Sequence, residues 1–156
     1  MRQKCISRLV LVFILGLLSA CTANPGKDEA RTVAEIKDSI EQTVDLSGMQ
    51  LQNDAKLRKL YGIEADDIEG FVLYTADSNV KADELVIIKV KQASETETVM
   101  EQIEERIKAQ TVKFKDYRPE EYCLIEKHVL KSKGRFVFFA VSKNVERMEE
   151  AYDAIW

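Results

Sequence analysis

Apolar residues follow two different patterns along this chain. Leu9 to Leu18 reads LVLVFILGLL, ten residues broken only by Gly16, directly after Arg2, Lys4 and Arg8. From about residue 32 onward they recur instead with the periods of helices and strands. Thr32-Val33-Ala34-Glu35 fits a capping box, in which Thr32 and Glu35 satisfy free amides of a first helical turn. Val33, Ile36, Ile40 and Val44 follow at helical spacing, which predicts a helix over 32–45. A second helix opens at Asn53 or Asp54, turns Leu57, Leu60 and Tyr61 inward, and ends at Gly62, where a left-handed cap belongs.

Strand signals come next. Residues 71–76 and 85–91 are β-branched and aromatic runs joined by a polar connection, which predicts a hairpin. In the second run Val86, Ile88 and Val90 face a core, while Lys89 and Lys91 share the opposite face. Ser94-Glu95-Thr96-Glu97 reads as another capping box opening a helix to about residue 115, with Val99, Ile103, Ile107 and Phe114 as its stripe. Glu104 and Lys108 support it at i, i+4. Pro119 starts a short turn or helix through Leu124. A second hairpin spans 126–131 and 136–142 around Lys133-Gly134. Asn144 caps a last helix carrying Val145, Met148, Tyr152 and Ile155. The order is ααββαββα. The expectation is an α+β fold with a four-stranded antiparallel sheet from two hairpins and helices packed on one face.

The N-terminal pattern is an address rather than part of that fold. A transmembrane helix needs about 20 apolar residues to cross roughly 30 Å of hydrocarbon, and Arg8 on one side with Thr22, Asn24 and Pro25 on the other stop the run short. A basic start followed by a short apolar stretch is the layout of a secretory signal. Leu18-Ser19-Ala20-Cys21 then resembles the bacterial lipobox, which implies cleavage between Ala20 and Cys21 and a diacylglycerol on the cysteine sulfur. Two or more acyl chains hold a protein stably where one does not. Thr22 to Glu29 (TANPGKDE) is polar, carries Pro25 and Gly26, and reads as a linker. The expected division is a signal over 1–20, lipidated Cys21 and a short linker over 21–30, and one domain over 31–156.

Charge sharpens that division. The full chain has 23 basic and 27 acidic residues, net −4. Residues 1–20 hold three of the bases and none of the acids, so what remains carries −7. An acidic domain lacks the basic face that nucleic acid requires. Anionic lipid repels it as well, so the expected membrane attachment is through lipid on Cys21.

Catalytic and metal chemistry finds little support. Cys5 leaves with the signal and Cys21 is taken by lipid, so Cys123 is the remaining thiol. Its pairing with His128 lacks any local nucleophile signature, and a small buried hydrophobe is the expected role. One His cannot build a zinc site, and a surface or cross-strand position is expected for it. The acidic runs Glu64, Asp66, Asp67, Glu69 and Glu101, Glu104, Glu105 match no calcium loop and read as solvated charge. No phosphate-binding glycine loop, G-x-S-x-G or H-E-x-x-H occurs, so no cofactor, metal or catalytic residue is expected. Phe136, Phe138 and Phe139 place apolar groups on both faces of the last strand, which is then covered twice or backs a groove. Tyr117, Tyr122 and Phe138 are the candidates for such a groove, against core packing.

Leu60-Tyr61-Gly62-Ile63, Ala82-Asp83-Glu84-Leu85, Phe114 with Tyr117-Arg118-Pro119-Glu120-Glu121, and Gly134 before a strand ending Val141-Ser142 resemble domain-of-unknown-function family 4358. The likeness covers about residues 32–155. It implies a lipoprotein on the outer face of a cytoplasmic membrane, and carries no activity or site residues. The expected function is binding, to an envelope protein or a small ligand. The alternatives are an envelope enzyme with an unfamiliar carboxylate or thiol site, and a structural accessory of a membrane complex.

Overall fold

The structure, a computed structural model, describes residues 30–156. The expected signal and the expected lipidation site at Ala20 and Cys21 lie outside the described residues. Five α-helices and five strands follow in the order α1 (Val33–Thr43), β1 (Met49–Leu51), α2 (Asp54–Tyr61), β2 (Ile68–Ala76), β3 (Glu84–Val90), α3 (Thr96–Phe114), α4 (Pro119–Glu126), β4 (Val129–Lys133), β5 (Phe136–Val141) and α5 (Val145–Asp153). All pairings are antiparallel, in the spatial order β1-β2-β3-β5-β4. The fold is α+β, as the periodicities predict.

Local chemistry sets the helix boundaries. Thr32 and Glu35 exchange hydrogen bonds of 3.2 and 2.8 Å, completing the first capping box. The side chain of Asn53 accepts from the Lys56 amide at 3.2 Å and opens α2. Gly62 closes α2 at φ 69°, a left-handed conformation that costs other residues energy. The second expected capping box shifts upstream. Gln92 and Glu95 form it, over a single 3₁₀ turn that precedes α3.

The sheet has five strands rather than four, and helices cover both of its faces. β1 escapes a periodicity reading because it is three residues long and two of them are exposed. It pairs with the far end of β2, from Met49 opposite Ala76 to Leu51 opposite Tyr74. One core packs Leu57 and Tyr61 of α2, Val99, Ile103 and Phe114 of α3, and Ile125 of α4 against Val86, Ile88, Val137 and Phe139. The other packs Ile36 and Ile40 of α1, and Met148 and Tyr152 of α5, against Leu85, Ile87, Phe136 and Phe138. All seven residues of β3 are therefore buried. Lys89 lies on the second face but is only 5% exposed. Its ammonium reaches Glu69 at 2.6 Å and donates to the Arg31 carbonyl at 2.8 Å. Pairing, not solvent, accommodates that charge.

Candidate functional site

On the α2/α3 side of the sheet the packing opens, at one end, into a polar cleft of about 430 Å³. Three segments build it. α2 contributes Lys56, Lys59 and Leu60, and α3 contributes Arg106, Gln110 and Lys113. The sheet edge and the β2–β3 loop supply Gln50, Gln52, Thr75, Ala76, Asp77, Ser78, Asn79, Lys81, Asp83 and Glu84. The α3 residues are spaced i, i+4, i+7, so one helical face carries all three. That face continues the apolar stripe of Val99 and Ile103, which turns polar where the core gives way to the cleft.

Glu84 anchors the floor. It opens β3 on the same face as Val86 and Ile88, and its side chain is 2% exposed. Both carboxylate oxygens are engaged by Arg106, from Nε at 3.0 Å and from a terminal nitrogen at 2.7 Å. Gln110 donates to one oxygen at 3.1 Å, and the buried Tyr61 hydroxyl donates to the other. Four donors from two helices thus converge on one buried acid, the condition under which a buried charge is tolerated. Burial, then the adjacent Glu84 carboxylate, pushes the Tyr61 phenol well above its ordinary pKa, so it remains a protonated donor. Burial also works against the Arg106 charge, but Glu84 outweighs it and the guanidinium pKa is raised.

A second buried acid ties down the loop beside the cleft. Glu121 of α4 is 2% exposed; it accepts from the Lys81 ammonium at 2.8 Å and from the Ala82 amide at 2.9 Å. Burial opposes its charge, yet these two donors prevail and hold its pKa below the ordinary carboxylate value. Asp83, the residue immediately before Glu84, is half-buried. Burial raises its pKa, while a hydrogen bond with Ser142 pulls the other way.

The structure separates the three aromatic residues taken as a groove. Phe138 is fully buried and stacks on Tyr152 at 4.7 Å in the α1/α5 core. Tyr122 packs on the opposite core and donates to Glu126 at 2.6 Å. Tyr117 projects into solvent, 68% exposed, in the turn after α3. Strand alternation is the reason: Phe138 shares a face with Leu85 and Ile87, away from α4. Cys123 is exposed rather than buried. α4 turns Glu121 and Ile125 inward, and Cys123 lies about 200° round the helix from Glu121. His128, half-buried, donates from Nδ1 to the Ile125 carbonyl at 2.7 Å and sits 6.0 Å from the Phe139 ring.

The acidic runs face water. Glu64 pairs with Arg58 at 3.5 Å, Glu69 with Lys89 and Arg135, and Glu105 with Lys108 at 2.7 Å in place of the expected Glu104 pair. Among the described residues no group of three or more His, Cys, Asp or Glu side chains is placed to hold a metal ion. No helix among them is long and apolar enough to cross a membrane.

The model of a domain of unknown function, DUF4358, matches residues 42–142. The chain belongs to the DUF4358 family. Comparison with curated proteins and with solved structures found no match. The DUF4358 stretch is shorter than the likeness over 32–155 suggested. It holds all five strands, α2, α3 and α4, and every residue lining the cleft. Nearly all of α1 and the whole of α5, which cover the other face, fall outside it. Residues that carried the resemblance, Tyr61 with Glu84 and Ala82 with Glu121, are joined here by hydrogen bonds. Sequence reasoning gave them no functional role, although Gln110 in the α3 stripe and Glu84 in phase with Val86 were visible signs of a buried polar network.

Proposed function

We propose that this chain is a lipoprotein of the extracytoplasmic face of the cell membrane, held through Cys21, whose domain binds a small ligand in the cleft between α2 and α3. The reading rests on the Glu84 floor. A buried acid satisfied by Tyr61, Arg106 and Gln110 keeps the cleft walls in fixed relative positions. Preorganised walls with a few converging polar groups are what small-molecule sites share. The anchor rests on the order of basic start, short apolar run and lipobox in the sequence.

Two measurements test these halves separately. Replacing Cys21 with Ala should abolish incorporation of labelled palmitate and release the protein from the membrane fraction. Retention at processed size would refute the anchor. For the cleft, thermal unfolding of the full chain in detergent is followed with sets of neutral, cationic and anionic small molecules. A ligand at about 100 times its dissociation constant adds roughly 2.7 kcal/mol, a shift of several degrees. If no set raises the unfolding temperature, the binding reading fails.

A further inference from the structure

We propose that the ligand of this cleft is a small polyanion, a free molecule carrying phosphoryl or carboxylate groups, held by Lys56, Lys59 and Lys113. The inference rests on the binding reading above and adds the chemistry of what is bound. The cleft is lined by five cationic side chains and three carboxylates, in a chain whose overall charge is −4. Two of the cations are neutralised internally, Arg106 by Glu84 at 2.7 Å and Lys81 by Glu121 at 2.8 Å. Among the described residues no ion pair forms at Lys56, Lys59 or Lys113. The remaining lining carboxylates, Asp77 and Asp83, are two against three ammoniums, and neither forms an ion pair with them. Asp83 is half-buried and hydrogen-bonded with Ser142, and Asp77 stands exposed in the loop.

Placement makes these three ammoniums act together. Lys56 and Lys59 are three apart on α2, so they share a helical face, and Lys113 reaches the same cleft from α3. The Lys113 ammonium is aimed at the β2–β3 loop, donating to the Asn79 carbonyl at 2.7 Å. Desolvation, then the nearby Arg106 charge, lowers its pKa, an unfavourable setting that an anion would relieve. Other walls are polar: Gln52 is held between Gln50 and Thr75 at 3.1 and 3.0 Å, and Leu60 is the one large apolar lining residue. An apolar molecule gains little there. The volume, about 430 Å³, suits a metabolite rather than a polymer.

The test uses the full chain in detergent with citrate and glucose phosphate as probes, glucose as the neutral comparison, and ionic strength held constant with chloride. Calorimetric titration should show saturable binding of one or both anions, stronger than any binding of glucose. Lys56→Ala with Lys59→Ala, and separately Lys113→Ala, should each weaken it about tenfold or more. Lys59 and Lys113 are exposed and Lys56 half-exposed, so the unliganded variants should unfold near the wild-type temperature. Lys133→Ala, on β4 outside the cleft, should change nothing. Glucose binding as tightly as glucose phosphate would overturn the anion while leaving the cleft a binding site. Anion binding indifferent to the cleft lysines would overturn it as well. Failure of both anions in a protein that neutral or cationic molecules stabilise would overturn the anion alone, and failure of every probe would remove both readings.

Discussion

Replacing Glu84 with Ala should be among the most damaging single changes in this domain. The carboxylate is 2% exposed and its partner Arg106 is 16% exposed. Truncation leaves a largely buried guanidinium without its counter-charge, and takes the acceptor from Tyr61 and Gln110. Removing one member of a buried ion pair costs about 3–5 kcal/mol, chiefly because the other charge stays desolvated. Gln110 lines the cleft but the Tyr61 hydroxyl is buried away from it, so the orphaned donors should add about 1–3 kcal/mol. For a domain near this size each kcal/mol lowers the unfolding temperature by roughly 3–5 °C. Thermal unfolding of the full chain should therefore show a loss of about 12 °C or more, and urea unfolding a lower midpoint with an unchanged m-value. The decisive variant is the double replacement of Glu84 and Arg106 by Met. Exchanging both members for apolar groups is often neutral, so the double variant should be more stable than Glu84→Ala. A single-variant loss below about 1 kcal/mol, or a double variant worse than the single, would show that the pair is hydrated and that the floor is not rigid.

Further expectations follow from individual positions. Ile40→Ala empties a fully buried site under α1 and should cost about 2–5 kcal/mol in urea unfolding; a change under about 1 kcal/mol would mean that α1 does not close that face. Gly62→Ala meets no atom within 4 Å, so its cost, about 1 kcal/mol, comes from the left-handed backbone at φ 69° alone. The Glu121 carboxyl has a folded pKa below its unfolded value, so its stabilisation is complete above the unfolded value and is lost as pH falls through the folded one. The stability gap between wild type and Glu121→Gln should accordingly narrow between neutral pH and about pH 3, and a gap constant with pH would contradict the Lys81 pairing. Cys123 should react with a thiol reagent in the native state, as peptide mapping would detect; protection until unfolding would contradict its exposure.

Much of the fold was legible because strong periodicity and specific end signals agreed. The Thr32–Glu35 box, the Gly62 cap and the Gly134 turn at φ 57° all stand where their residue types predict. β1 was not legible, since three residues with two exposed carry no period, and only pairing with β2 makes them a strand. The second helical layer was hidden for another reason. Lys89 suggested a wet face, and nothing local announces that Glu69 bends in to meet it. Glu69 lies where the β2–β3 register slips between Ile68 and Gly70, a bulge visible only once the strands pair. Cys123 misled in the same way. Its burial was inferred from residue type, whereas the turn of α4 is fixed by Glu121 reaching the Ala82 amide.

The candidate site was written in the polar residues that broke the apolar pattern, not in the aromatics that continued it. Gln110 stands seven residues after Ile103 and four before Phe114, squarely in the buried stripe of α3. Glu84 stands two before Val86 in the alternation of β3. Each alone is an oddity, but a buried polar group demands a partner, and two of them with Arg106 between on the helix amount to a network. Tyr117, Tyr122 and Phe138 carried no such demand, because apolar groups are satisfied by any core, and the fold distributed them among solvent and both cores. The stretch matching DUF4358 repeats the distinction. It keeps the cleft and its floor together and leaves out most of the α1/α5 layer, whose work is to cover the sheet. A buried carboxylate under four donors fixes α2, α3 and β3 relative to one another more directionally than apolar packing does. A domain that must hold two helices apart around a polar opening needs a directional group there, and Glu84 is that group.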